Sequence, residues 1–349
     1  MWVAIADLKD NKYISSAKEQ ITDTAVRESG IKKVKAGTVI MSFKLSVGKA
    51  TIAQQDLYTN EAIMAFNVLA GYQIMAEYIY YYLKGYKWKG ANKAVMGLTL
   101  NKKSISENYF AFPPLSEQQQ IVAELDCING IIEKKKQQLK ELDTLAQSIF
   151  YDMFGDPITN EKGWEVKKLG EVCKTTSGGT PSKSKKEYYE GGTVPWLRSG
   201  EVNKTYIDKT ELFITQSGMD NSSAKWIPVD SVAIAMYGAT VGQVGIIKKA
   251  MTTNQAICSI FPSEWIEPMY LYFFLQSKKE SYLTLAAGGA QPNISQAIIK
   301  TTNLILPPLP LQQSFAAKVE AIEKQKSLIK QSIAEAETLL ASRMDYYFN

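Results

Sequence analysis

Nucleophilic and acid–base chemistry near neutral pH usually draws on histidine, an activated cysteine or a paired carboxylate. This sequence of 349 residues contains no histidine, which removes histidine-dependent triads and histidine metal ligands. Its three cysteines, Cys127, Cys173 and Cys258, form no CxxC pair, so neither a zinc site nor a disulfide framework is expected. No GxxxxGK(S/T) phosphate loop occurs, and no GxGxxG follows a strand. The Asn/Asp-Pro-Pro-aromatic run of amino-methyltransferases is absent as well. The stretch Thr176-Ser177-Gly178-Gly179-Thr180-Pro181 has the look of a phosphate nest, but no helix with a lysine follows it, and a turn joining strands is the ordinary reading. The residue types argue for binding without catalysis: no catalytic residue, no metal and no cofactor of its own.

The residues that could bind are basic, aromatic and amide-bearing. The net charge is +5 and the isoelectric point near 8.7, which permits a nucleic-acid partner without demanding one. Of 40 basic residues only Arg27, Arg198 and Arg343 are arginine. Lysine serves phosphate as a point charge, whereas arginine forks onto guanine. Base reading would therefore fall largely to Asn, Gln, Ser, Thr and backbone groups. The run KGYKWKGANKAV alternates Lys87, Lys89 and Lys93 with Tyr86 and Trp88, a pattern suited to a nucleic-acid backbone and its bases, and equally to a solvated loop around a buried tryptophan.

Two long helices must position these residues. From Pro113, apolar residues fall at 121, 125, 128, 132, 139, 142, 146, 149 and 153, a heptad seam interrupted by Lys135. Ser116 and Gln119 have capping-box spacing. A shift of 194 aligns residues 307–349 with this stretch without a gap. The second seam runs through Phe315, Val319, Ile322, Ile329, Ile333, Ala336 and Leu340, with Lys326 and Arg343 as polar interruptions. Two matching helices separated by a globular segment predict an antiparallel pair. Its expected interface is Ile121, Leu125, Ile128, Ile132, Leu139, Leu142 and Ile149 against the second seam. Exposed charges at Glu133–Lys136 and at Glu323-Lys324 are candidate docking faces, or simply solvated ones.

The globular parts repeat too. Residues 37–44 read as a strand and 47–52 as its hairpin mate, with Gly48 at a tight approach. Residues 76–83, AEYIYYYL, read as a helix whose tyrosines suit a core better than a base-stacking surface. Trp196 matches Trp2 and Thr253-Asn254 match Thr59-Asn60 at 194, while Tyr206, Ile214 and Thr215 match Tyr13, Ile21 and Thr22 at 193. Residues 161–194 find no counterpart ahead of Met1, so the first copy is expected to lack its opening segment. Composition is globular, 45% hydrophobic and 21% charged. The start lacks the pattern of a secretory signal, and the apolar runs Tyr78–Leu83 and Met269–Leu275 are too short to span a bilayer. A soluble, cytoplasmic protein is expected.

Two dissimilar globular segments, each followed by a PPL…QQ…heptad helix, resemble the specificity subunit of a type I restriction-modification system. In the second half the likeness runs through Trp164-Glu165-Val166, Ser177–Ser182, Pro195-Trp196-Leu197, Gly238–Gly242, Thr253-Asn254-Gln255 and 291–295. In the first it runs through Ser42-Phe43-Lys44, Thr59–Ala62 and 97–100. The resemblance implies an α+β fold with an internal pseudo-two-fold repeat: a target-recognition domain at 1–112, a spacer helix at 113–155, a second recognition domain at 156–306 and a second spacer at 307–349. It implies double-stranded DNA as ligand, read as a split site with the antiparallel coiled-coil helices as a ruler. Methyltransferase subunits carrying S-adenosylmethionine, and a restriction or translocase subunit, would be the partners. Residues bordering the turns are then the candidate DNA contacts: Thr180, Ser182, Lys183, Arg198, Tyr237, Gln243, Gln291 and Asn293 in the second half, and Lys44, Lys49, Lys89 and Lys93 in the first. Arg198 leads as a guanine fork, against a phosphate contact or a structural ion pair. The alternative is a coiled-coil scaffold or decoy that holds the methyltransferase without fully reading DNA.

Overall fold

The computed structural model describes residues 1–9, 11–45, 47–88, 92–94, 97–100, 102–286 and 293–349. They form two compact units, one of Met1–Gln138 with Leu328–Asn349, the other of Leu139–Ser327. Helices and mixed sheets combine in both.

In the first unit a four-stranded sheet has the order Tyr13–Ile14, Ala50–Ala53, Val39–Ser42, Ile63–Phe66. Val39–Ser42 and Ala50–Ala53 pair antiparallel, Met41 opposite Ala50, which is the expected hairpin. Gly48 differs from the expectation: its φ of +87° is what the turn demands, and a Cβ there would meet nothing closer than 3.7 Å. The helix Ala76–Gly85 buries Tyr78 through Leu83 against Val39, Met41 and Ile52, so its tyrosines are core.

The second unit contains a five-stranded sheet in the order Thr175–Ser177, Ile257–Ile260, Val232–Ala235, Val244–Ile247, Tyr206–Ile207. A four-stranded sheet, Leu212–Ile214, Val194–Leu197, Met251–Thr253, Trp226–Ile227, adjoins it. The repeat holds to the level of register. Trp2 and Val3 run parallel to Tyr58 and Thr59, and Trp196 and Leu197 run parallel to Thr252 and Thr253. The matched Thr22 and Thr215 both cap helices, accepting from Ala25 N at 3.2 Å and Gly218 N at 3.1 Å.

The long helices are Leu115–Phe154 and Leu309–Phe348, 40 residues each, or roughly 60 Å at 1.5 Å per residue. Within the second unit, Phe150 and Phe154 of the first helix pack on Phe315 near the start of the second, with ring centroids 5.6 and 5.3 Å apart. Within the first unit, Glu124 near the start of the first helix meets Arg343 near the end of the second. The pair is antiparallel in both. Ile121, Leu125, Ile128, Ile132, Phe315, Val319, Ile322 and Ile333 are buried, and Leu139, Leu142, Ile149, Ile329 and Leu340 half-buried.

The two polar interruptions of the second seam are paired. Lys326, buried, reaches Asp143 at 2.6 Å and Glu323 at 2.5 Å. Burial opposes its charge, but the two carboxylates outweigh that and raise its pKa. Glu323 thus faces its neighbours rather than solvent. Arg343 clasps Glu124 at 2.5 and 3.0 Å and touches Tyr347. Hydrogen bonds to Glu124 from Arg343 and then from the Tyr347 hydroxyl, at 2.5 Å, lower the Glu124 pKa. A carboxylate with a depressed folded pKa lends stability that is present above its unfolded value and fades as pH falls through the folded one. Glu124→Gln should therefore be less stable than the parent at pH 7, and urea titrations should show that difference closing on acidification below pH 4.5.

The expected Ser116–Gln119 capping box does not form, because the helix already begins at Leu115 and Ser116 lies inside its first turn. The entrance is held instead by Gln118, fully buried. Its amide donates to Pro113 O at 2.9 Å and Gln73 O at 3.0 Å, and accepts from Met75 N at 2.9 Å. Gln312 repeats the arrangement: it donates to Pro307 O at 2.8 Å and Trp265 O at 3.2 Å, and accepts from Glu267 N at 3.0 Å. One side chain thereby ties the Pro-Pro entrance of each long helix to the start of the aromatic helix of its own unit.

Candidate nucleic-acid interface

Three of the sequence-predicted contacts meet in the second unit. Thr180, Lys183 and Arg198 line a depression of about 430 Å3 together with Tyr189, Trp196, Leu212, Asn254 and Gln255. Its floor is Trp196, on the strand Val194–Leu197, whose Nε1 donates to Gly179 O at 2.9 Å. Tyr189 packs edge-on against Trp196 at 5.9 Å and donates to Pro181 O at 2.5 Å. The Gly178-Gly179 pair makes this geometry possible. A Cβ on Gly178 would collide with the Thr253 carbonyl, and one on Gly179 with the Ser223–Ala224 backbone. The stretch that resembles a phosphate nest is therefore a place of close backbone packing.

On the rim, the Thr180 hydroxyl bonds the Gln255 side-chain carbonyl. Ser182 shares a hydrogen bond with Ser184 at 2.8 Å. Lys183 is exposed and has no ion-pair partner among the described residues. Asn254 Oδ1 is buried without a hydrogen-bond partner among the described residues, an unmet acceptor in the same depression. Arg198 is engaged by two carboxylates, Glu201 at 3.3 Å and Glu211 at 2.7 Å. Glu201 also accepts from the backbone N–H groups of Arg198, at 3.2 Å, and of Glu211, at 2.7 Å. A guanine contact would require the fork to leave Glu211, whose side chain is 71% exposed.

The remaining candidates lie apart from that depression. Gln243 lines another, of about 360 Å3, with Gln147, Asn203, Gln276 and Lys279 among its neighbours, and its Oε1 is buried and has no hydrogen-bond partner among the described residues. Tyr237, 44% exposed, forms a backbone bridge to Asn293. In the first unit Lys44 opens the strand Lys44–Leu45, its ammonium 5.7 Å from the Phe43 ring, and Lys49 is exposed beside the Gly48 turn. Lys89 and Gln291 lie outside the described residues, as does the side chain of Lys93. Sequence reasoning did not assign Tyr189, Asn254 or Gln255 to the site. The repeated Thr-Asn at 59–60 and 253–254 was the available signal.

Among the described residues no cluster of three or more His, Cys, Asp or Glu could hold a metal. Burial pushes the thiols of Cys173 and Cys258 up to about 11 and about 12, so both stay protonated and unreactive at neutral pH. No described helix is long and apolar enough to cross a membrane.

Repeated α+β units, each joined to a long helix of an antiparallel pair and one bearing a polar-rimmed aromatic depression, define a class of recognition subunit. The chain belongs to the family of the Type I restriction modification DNA specificity domain, whose model matches residues 2–143 and 161–338. It is similar to the type I restriction enzyme MjaIX specificity subunit of Methanocaldococcus jannaschii, 26% identical over 345 residues, 92% of this chain and 79% of that one. It is also similar to the HindI specificity subunit of Haemophilus influenzae, 33% identical over 190 residues, 52% of this chain and 41% of that one. Among solved structures, one of a type I R-M system, addressing complex assembly and conformational transition, matches with TM-score 0.65 at 18% identity, covering 100% of this chain and 90% of that one. The S subunit from M. genitalium matches with TM-score 0.54 at 13% identity, covering 91% and 84%. At these identities the structural likenesses speak to the fold alone.

Proposed function

We propose that this chain reads double-stranded DNA for a type I restriction-modification complex and is not itself catalytic. Each unit takes one half of a split target, and the paired helices set the distance between the halves. Methyltransferase subunits, which bring S-adenosylmethionine, dock on the chain, and a restriction or translocase subunit joins them in the cytoplasm. The observation that carries this reading is the register-matched repeat with family-model matches in both copies: one scaffold occurs twice and presents different surface residues, as a bipartite reader requires. A band-shift assay with the partner methyltransferase should give sequence-specific retardation at physiological salt. Assembly with the methyltransferase but without sequence preference would support a scaffold or decoy instead.

Two further outcomes follow from the same reading. Inserting one heptad into each long helix keeps the seam in phase and adds roughly 10 Å of helix, about three base pairs. The preferred gap between half-sites should lengthen accordingly, and an unchanged gap would remove the ruler role. Arg198→Ala should relax base preference at one position by about 1–3 kcal/mol. A uniform loss of affinity across sequences would place Arg198 on phosphate.

A further inference from the structure

The clasp around Arg198 recurs in the first unit with different side chains on it. In the second unit the Glu201 carboxylate takes the backbone N–H of Arg198 at 3.2 Å and that of Glu211 at 2.7 Å. In the first unit Asp7 takes the N–H of Ala4 at 2.9 Å and that of Lys18 at 3.2 Å. The flanking backbone agrees in register, Trp196 opposite Leu212 and Trp2 opposite Glu19. Arg198 therefore corresponds to Ala4, and Glu211 to Lys18.

The ion pair of Arg198 with Glu211, at 2.7 Å, is not what shapes the clasp, because the first unit builds the same clasp with an alanine and a lysine. Lys18 is exposed and has no ion-pair partner among the described residues. Nor does so open a pair add much to stability, since the Arg198 and Glu211 side chains are 42% and 71% exposed. The fold thus leaves both side chains available to a ligand.

What the pair offers follows from its unused atoms. Glu201 holds Arg198 Nε at 3.3 Å and Glu211 Oε2 holds Nη2, while neither Arg198 Nη1 nor Glu211 Oε1 has a hydrogen-bond partner among the described residues. Arg198 lines the depression of about 430 Å3 over Trp196, and Glu211 lines another of about 190 Å3, so donor and acceptor lie side by side at an open surface. A fork that turns onto guanine can pivot on Glu201, whose side chain is only 12% exposed. Glu211 is then left without its cation. A carboxylate brought among DNA phosphates is costly unless a donor meets it. The base edges of the major groove expose two kinds of donor, the N4 amino group of cytosine and the N6 amino group of adenine. Guanine N7 and O6 accept and the N4 of its paired cytosine donates, so one G·C pair matches the fork and the released carboxylate together.

We propose that Glu211 is a specificity-determining residue: its carboxylate accepts from the cytosine N4 of the same base pair whose guanine the Arg198 fork takes. This role rests on the DNA reading proposed above and extends it to a residue of opposite charge. Binding exchanges ion for base on both heads of the pair, and any pair other than G·C leaves one head unmet. The first unit, with Ala4 and Lys18 in these places, has no such acceptor.

The test uses the full chain assembled with its methyltransferase. Selection on a randomised duplex library defines the half-site and the G·C pair that Arg198→Ala relaxes. The probe is N4-methylcytosine at that pair, whose methyl group takes the place of the groove-facing hydrogen while pairing with guanine persists. Parent affinity should fall about tenfold on the methylated duplex, and Glu211→Ala should bind both duplexes alike. Glu211→Lys copies the first unit and so keeps the clasp; it should raise affinity for every sequence yet lower preference for the G·C pair about tenfold. If parent and Glu211→Ala respond equally to the methyl group, or if Arg198→Ala relaxes no G·C pair, the assignment of Glu211 is overturned while DNA reading by the chain stands. Absence of any sequence preference in the parent complex would overturn that reading and the assignment with it.

Discussion

Gln312→Ala should destabilise the second unit more than any surface change. The amide it removes satisfies Glu267 N, Trp265 O and Pro307 O, and Gln312 is itself fully buried. Each buried group left unmet costs about 1–3 kcal/mol, so a loss on the order of 3 kcal/mol is expected in urea unfolding. The geometry also predicts where the loss shows. Exchange should accelerate in Pro268–Ser277, whose start is held by this bond, and at the entrance of Leu309–Phe348. Gln312→Glu should be as harmful, since a carboxylate accepts from Glu267 N but cannot donate to two carbonyls. Gln118→Ala should behave alike in the first unit, through Met75, Gln73 and Pro113. A neutral result for either would mean that water replaces the amide without cost.

Gly179→Ala should be the second severe change, for a steric reason. Overpacking usually costs about 1–3 kcal/mol when side chains can yield. Here the added Cβ meets the backbone of Ser223 and Ala224, which is fixed by the neighbouring strand Trp226–Ile227. The cost belongs at or above the top of that range, and the Gly179–Trp196 hydrogen bond should be lost with it. Near-ultraviolet circular dichroism would report the altered Trp196 environment. Gly191→Ala is a useful contrast, since a Cβ there meets nothing within 4 Å and only its φ of +69° resists. If both variants unfold alike, space is not what Gly179 provides.

How far the sequence disclosed this molecule depends on what each pattern physically encodes. Heptads report burial directly, so Ile121 to Ile132 and Phe315 to Ile322 were legible, as was the antiparallel pairing. The repeat carried sheet register with it, because Trp2 and Trp196 occupy the same rung. Solitary polar residues were not legible. Gln118 reads like its exposed neighbours Gln119 and Gln120, and only the fold turns it inward. The Ser116 spacing suggested a cap that an earlier helix start makes unnecessary. Arg198 stood out by type, but its engagement depends on Glu211, brought near by strand pairing. Gly48 and Gly179 look alike as letters, yet one answers to backbone angle and the other to space.

The turn that follows Trp2–Val3 and its counterpart Val194–Leu197 bears on how such proteins diversify. Asp7 closes it in the first, accepting from Ala4 N at 2.9 Å, and Glu201 closes it in the second, accepting from Arg198 N at 3.2 Å. The backbone bond is common to both, and in the second copy the same acid also meets the Arg198 guanidinium at 3.3 Å. Alanine and arginine thus occupy one address within a single chain. An address that tolerates both extremes is where selection can rewrite a preference without renegotiating the fold, and gene conversion between the two copies would exchange such addresses intact.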